Sequence, residues 1–117
     1  MSQLRLQETD GVVVARLSGE IDLSNARDVT EELAGSVANT AYGVVIDLTA
    51  TDYLDSSGVQ MIFDLAQRMA RRQQAIRVVV PEGAPIRRVL RIVELHSVVP
   101  VLAAVDDAVR EVRHETS

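Results

Sequence analysis

The chain has 117 residues, a net charge of −5, 47% apolar residues and only 3% aromatic ones. Its length suits one domain burying about two-thirds of its unfolded surface, in a core of Val, Leu, Ile, Ala and Met. With no cysteine it excludes disulfides, zinc–thiolate sites and thiol catalysis, and with every cation an arginine it excludes lysine Schiff-base chemistry and a P-loop lysine.

Leu4 and Leu6, then Val12, Val14 and Leu17, alternate with polar residues around Asp10-Gly11. Asp-Gly between two strand-like runs predicts a hairpin, with strands at about 3–8 and 12–18. Gly19-Glu20-Ile21-Asp22-Leu23-Ser24 then ends the second strand and opens a helix that Asp22 or Ser24 can cap. Ala26, Val29, Leu33 and Val37 share one face of that helix, which is expected to end near Asn39.

Val44–Leu48 is a continuous β-branched run, the pattern of a strand buried on both faces in a parallel sheet. Asp47 interrupts it and is expected near the strand end in a hydrogen-bonding role. A second helix is predicted to start after Asp55 and run to about Gln73. Its buried stripe is expected to hold Val59, Ile62, Phe63, Ala66, Met69 and Ala70, with Gln60, Asp64, Gln67, Arg68 and Arg71 on the wet side. Met61 falls on that polar side, one turn from Ser56. It is either an exposed, soft partner contact or packs against a neighbouring helix.

Ile76–Val80 reads as the next strand, broken by Pro81-Glu82-Gly83-Ala84-Pro85. Pro85 suits the first turn of a helix whose apolar face is Ile86, Val89, Leu90 and Val93. A short strand near Val98–Leu102 and a last helix opened by Asp106 or Asp107 follow. Fraying is expected past Arg113, leaving a core of about 3–113 within a single domain spanning 1–117. The order is β-β-α-β-α-β-α-β-α, an α/β fold with a mixed, largely parallel sheet of about five strands and four helices. In such sheets sites gather at the carboxyl ends of strands, which is where Glu20-Ile21-Asp22 and Asp55-Ser56-Ser57-Gly58 fall.

At the second of these turns a strand feeds a helix through two hydroxyls and a carboxylate. The first helix amides lack partners inside the helix and favour negative charge. A phosphate on Ser56 or Ser57 would sit in that field. Asp and Ser are equally the residues that cap helices, so capping is the competing reading of the same turn.

Other functions find little support. No apolar run approaches the ~20 residues of a membrane span, and the N-terminus lacks a signal-peptide h-region. A cytoplasmic protein with no membrane insertion is therefore expected. Residues 1–60 hold ten acids against three arginines, and residues 61–117 seven acids against nine arginines. That balance, with so few aromatics, argues against direct nucleic-acid binding. Arg87, Arg88 and Arg91 are expected on a solvated face, or as a contact for an acidic partner. A hydrolytic serine would need G-x-S-x-G and a positioned base, and only His96 and His114 are available. Two distant histidines give no metal-ligand spacing. There is neither a G-x-G-x-x-G nor a Walker sequence, so no catalysis, metal or cofactor is expected.

Three segments together are more specific than any one alone. Gly19-Glu20-Ile21-Asp22, Val45-Ile46-Asp47-Leu48 and Leu54-Asp55-Ser56-Ser57-Gly58-Val59 resemble the STAS domains of bacterial anti-sigma factor antagonists. The likeness runs through nearly the whole chain. It implies a small non-catalytic protein that binds an anti-sigma factor which is also a serine kinase, thereby releasing the sigma factor. The kinase phosphorylates the serine after the aspartate, here Ser56 with Ser57 as the alternative, and a serine phosphatase reverses this. Asp22, Asp55, Ser56, Ser57, Gly58 and Met61 are the expected partner-binding residues. Asp55 either orients the Ser56 hydroxyl or caps the helix. Ser57 is read as a capping hydroxyl. Gly58 either gives a kinase close access or permits tight helix–strand packing. Asp22 either faces the partner or caps the first helix. A STAS subunit of a membrane transporter or sensory assembly is the alternative, and the oligomeric state is left open.

Overall fold

In the computed structural model, which describes residues 3–115, the chain runs β1 (Leu4–Thr9), β2 (Val12–Ile21), α1 (Ala26–Ser36), β3 (Gly43–Leu54), α2 (Ser56–Arg71), β4 (Ala75–Val79), α3 (Ile86–Ile92), β5 (Val101–Leu102) and α4 (Val105–Glu115). A 3-10 turn at Leu95–Ser97 follows α3. The expected element order holds. Asp10 and Gly11 both have positive φ, 53° and 79°, the backbone that a tight two-residue hairpin needs.

The five strands lie in sequence order, β1 antiparallel to β2 and every other neighbour pair parallel. Successive right-handed crossovers in one direction place their helices on one side. Side-chain alternation then splits the core in two. Val44, Ile46 and Val78 point toward α1, α2 and α3, with Val29, Leu33, Ile62, Leu65 and Leu90. Val45 and Val79 point the other way and meet Ala108, Val109 and Val112 of α4. The apolar residues Val44, Val45, Ile46 and Leu48 of β3 therefore reflect burial on both faces.

β3 is much longer than the apolar run predicts. Past Asp47 it leaves β4 and continues with β2 alone, ending with Leu54 level with Ile21. Two register shifts in β2, between Arg16 and Ser18 and between Gly19 and Glu20, bend this extension. Gly19 takes φ +73° at the second, a conformation that a side chain would strain. Asp47, only 1% exposed, anchors the first: its carboxylate accepts from Arg16 Nε at 3.2 Å and from the Thr49 amide at 3.0 Å. The Thr51 hydroxyl donates to the Leu17 carbonyl at 2.8 Å where the ladder slips. The hydrogen-bonding role of Asp47 is as expected, but its place is mid-strand, where β4 stops.

Other differences from the sequence reading have packing causes. Ile86 and Leu90 of α3 are buried, while Val89 and the following Val93 are 37% and 39% exposed, because this seven-residue helix touches the core on one narrow side. Ala70 of α2 is exposed, and Leu65 takes a fully buried place instead. α4 stays helical through Glu115, beyond the expected fraying point at Arg113. Arg77, buried in β4, holds it by pairing with Glu111 at 2.9 Å and Glu115 at 3.0 Å. Burial pulls the Arg77 pKa down, but hydrogen bonds and charge from Glu111 and Glu115 outweigh it and leave the pKa raised. Among the described residues no helix is long and apolar enough to cross a membrane.

Candidate functional site

The long β2–β3 extension carries two loops to the same place. The Asp55 amide donates to the Ile21 carbonyl at 3.3 Å, so the start of α2 sits against the end of β2. Asp55 is extended, with φ −95° and ψ −172°, as a residue just outside a helix should be. Its Oδ1 accepts from the amides of Ser57 at 2.8 Å and Gly58 at 3.0 Å. Its Oδ2 accepts from the Leu23 amide at 3.1 Å in the other loop. Asp55 is therefore a cap and a cross-loop tie together. Among the described residues both of its carboxylate oxygens serve backbone amides, and neither accepts from the Ser56 hydroxyl.

Ser56 is the first residue of α2 and is exposed. Among the described residues its hydroxyl makes no hydrogen bond within the chain. Ser57 is half-buried and lines a groove of about 430 Å³ between α1 and α2, beside Leu23, Thr30, Gln60 and Met61. The two serines thus differ: one faces outward, the other faces the groove between the helices.

Gly58 is buried, and an added Cβ would stand 2.8 Å from the Ile21 carbonyl oxygen and 2.7 Å from Leu54 Cδ2. Its role in the structure is close helix–strand packing, with no open side through which another protein would approach. Met61 likewise takes the packing alternative of the two readings left open for it. It is 2% exposed and belongs to the main core, so it is no exposed contact. A helix lying on a sheet alone has one buried stripe. α2 also packs against α1, which widens its buried arc to include Gly58, Met61 and Leu65.

The first loop is held by its own polar groups. Asp22 Oδ1 accepts from the amide and hydroxyl of Ser24, the Asp22 amide donates to Asn25 Oδ1 at 3.0 Å, and Asn25 Nδ2 donates to the Glu20 carbonyl at 2.8 Å. Asp22 is therefore not the cap of α1: Asn25 holds the cap position without a side-chain cap bond, and Asp22 shapes the loop ahead of it. This closed loop presents Leu23 to solvent at 81% exposure. Tyr53, level with Glu20 in the register, is half exposed on the same extension. Neither was singled out from sequence. Leu23 had a local signal, an apolar residue between two loop-forming polar ones, but Tyr53 reads as an ordinary strand residue.

The two loops thus meet at one end of the sheet, with Ser56 exposed at the mouth of α2, Leu23 exposed on the loop that Asp55 ties to it, and Asp22 and Asp55 supplying negative charge. Among the described residues no group of three His, Cys, Asp or Glu side chains is placed to hold a metal ion.

A five-stranded mixed sheet of this order, covered by four helices, defines a small α/β domain. A family model described as STAS domain matches residues 3–108, and the chain belongs to that family. It is 32% identical to BtrV of Bordetella bronchiseptica over 100 residues, covering 85% of this chain and 84% of that one. It is 30% identical to the anti-sigma-F factor antagonist RsfB of Mycobacterium tuberculosis over 105 residues, covering 89% and 84%. The crystal structure of an anti-sigma factor antagonist from Mycobacterium paratuberculosis superimposes with a TM-score of 0.82 at 29% identity, covering 94% of this chain and 92% of that one.

Proposed function

We propose that this protein is a cytoplasmic anti-sigma factor antagonist. Its unmodified Ser56 face docks on an anti-sigma factor that is also a serine kinase and thereby frees the sigma factor. Phosphorylation of Ser56 ends the docking, and a serine phosphatase restores it. The names of RsfB and of the mycobacterial structure support the first part. The observation that carries the switch is the Ser56 hydroxyl itself. It is exposed at a helix mouth and unbonded within the described chain, while the neighbouring Ser57 and Gly58 amides are already taken by Asp55.

A phosphate adds about −1.5 to −2 charges at neutral pH. With Asp55 on those amides, little of that charge is absorbed by the helix. It projects toward whatever covers the face, among carboxylates already there. Docking is lost through bulk and like charge, without refolding. Ser57 is the less suitable acceptor because it turns into the α1–α2 groove.

Incubation with the kinase and ATP is expected to add one phosphate, which peptide mass spectrometry places on Ser56. Ser56→Ala is expected to abolish it. Ser56→Asp is expected to weaken capture of the anti-sigma factor more than about a hundredfold, a loss near 3 kcal/mol, while melting stays near wild type. Persistent labelling of Ser56→Ala moves the site to another residue. A pull-down that yields a transporter instead of a kinase overturns the regulatory role.

A further inference from the structure

The two edges of the sheet differ. β5 is only two residues long, whereas β1 offers six, Leu4–Thr9, in one uninterrupted register with β2. Neither proline, lysine nor a bulge blunts β1, although these are the usual devices that keep an edge from pairing with another chain. Four consecutive residues, Arg5 to Glu8, are exposed, and among them is Leu6 at 39%. The Ser18 amide donates to the Gln3 carbonyl at 2.9 Å, and the bonds of an antiparallel ladder alternate residue by residue. The odd-numbered residues of β1 therefore spend their backbone groups on β2, and the amides and carbonyls of Leu6 and Glu8 point away from it, out of the sheet edge.

We propose that β1 is the contact between two copies of this chain, paired antiparallel about a two-fold axis through Leu6 so that the two sheets become one. A two-fold axis normal to the sheet keeps the faces of both copies aligned, so even-numbered residues meet even and odd meet odd. Leu6 then meets Leu6 of the second copy, Arg5 faces Gln7 and Glu8 faces Leu4. The two Leu6 residues exchange main-chain hydrogen bonds, as in other strand additions. Moving the axis to residue 5 sets Arg5 against Arg5, and moving it to residue 8 sets Glu8 against Glu8; directly opposed like charges destabilise a sheet. Moving it to residue 7 sets Leu6 against Glu8. The axis through Leu6 opposes no like charges and covers the exposed leucine with another. This self-complementarity favours a second copy over an extended segment of a different protein. β1 begins level with Leu17, short of Ile21 and Leu54, so the new ladder does not reach the Ser56 end of the sheet.

The chain has no cysteine, so single introduced cysteines read the register directly. In the proposed pairing the two residue-6 Cα atoms stand about 5.5 Å apart, within the range of about 4.4–6.8 Å that a disulfide spans. With oxidised glutathione, full-length Leu6→Cys is expected to give a covalent dimer. Arg5→Cys and Gln7→Cys are each expected to stay uncrosslinked alone and to link to one another when mixed. Sedimentation equilibrium of the unaltered chain at up to about 1 mM is expected to show a reversible monomer–dimer equilibrium. Leu6 is partly exposed, so Leu6→Lys is expected to fold normally and to weaken association at least about tenfold. Ser56→Asp is expected to dimerise as wild type does, which separates this contact from the proposed switch. A chain that is monomeric throughout that range overturns the proposal. So does a dimer that Leu6→Lys leaves unchanged, or one that Arg5→Cys or Gln7→Cys crosslinks on its own.

Discussion

The Asp55 carboxylate and the Leu23 amide meet at 3.1 Å although 32 residues separate them. One oxygen of Asp55 caps α2 and the other fixes the loop that exposes Leu23. The helix mouth and the loop beside it are thereby held as one surface, with Ser56 between them.

Asp55→Ala removes both functions. Losing a helix cap typically costs about 0.5–2 kcal/mol, and the freed Leu23 amide adds a smaller loss. We expect about 1–2.5 kcal/mol of destabilisation, or a melting temperature lower by roughly 4–12 °C in a domain of this size. Amide exchange at Leu23 should speed up together with exchange at Ser57 and Gly58. If Leu23 exchange is unchanged, the cross-loop tie is not holding the surface.

Gly58→Ala sets two effects against each other. Alanine gains up to about 1 kcal/mol in helix propensity over glycine. Its Cβ, however, would sit 2.8 Å from the Ile21 backbone oxygen, where relief requires movement of the chain. Overpacking of this kind costs about 1–3 kcal/mol, so the net effect is expected to be destabilising. Chemical denaturation decides the sign. A variant more stable than wild type would mean that α2 can lift away from β2 freely.

Leu23→Ser tests the exposed face. At 81% exposure Leu23 contributes little to the core, so stability should change by less than about 0.5 kcal/mol. Affinity for the anti-sigma factor should fall at least about tenfold, as expected for an apolar anchor covered on docking. Unchanged affinity in a titration would place the docking surface elsewhere.

Arg16 and Asp47 should respond unequally to removal. The Arg16 side chain is 57% exposed and Asp47 only 1%. Asp47→Ala leaves a guanidinium that water can solvate, but it removes the support of Thr49 and of the bulge. Arg16→Ala leaves a buried carboxylate without its cation, although the Thr49 bonds remain. Stranding a buried charge is costly, up to about 3–5 kcal/mol where no water reaches it. We expect about 1–3 kcal/mol for Arg16→Ala, and recovery of at least half of it in Arg16→Lys. A loss below about 0.3 kcal/mol in urea unfolding, typical of exposed pairs, would show that the pair is solvated in practice.

The amino-acid order alone determined the succession of strands and helices, the Asp10-Gly11 hairpin, the doubly buried β3 run and the serine turn at the start of α2. These signals are local: periodicity, turn chemistry and capping act within a few residues and do not need the rest of the chain. Tertiary structure decided what lies across from what. The run Thr49–Leu54 carries no apolar pattern of its own and is strand because β2 pairs with it. Met61 sits at a polar helical angle but is buried because α1 covers it, and Gly58 is small because β2 ends against it. The meeting of Leu23 with Asp55 follows from sheet register and crossover packing. Those are non-local properties, fixed only when distant segments compete for the same buried surface.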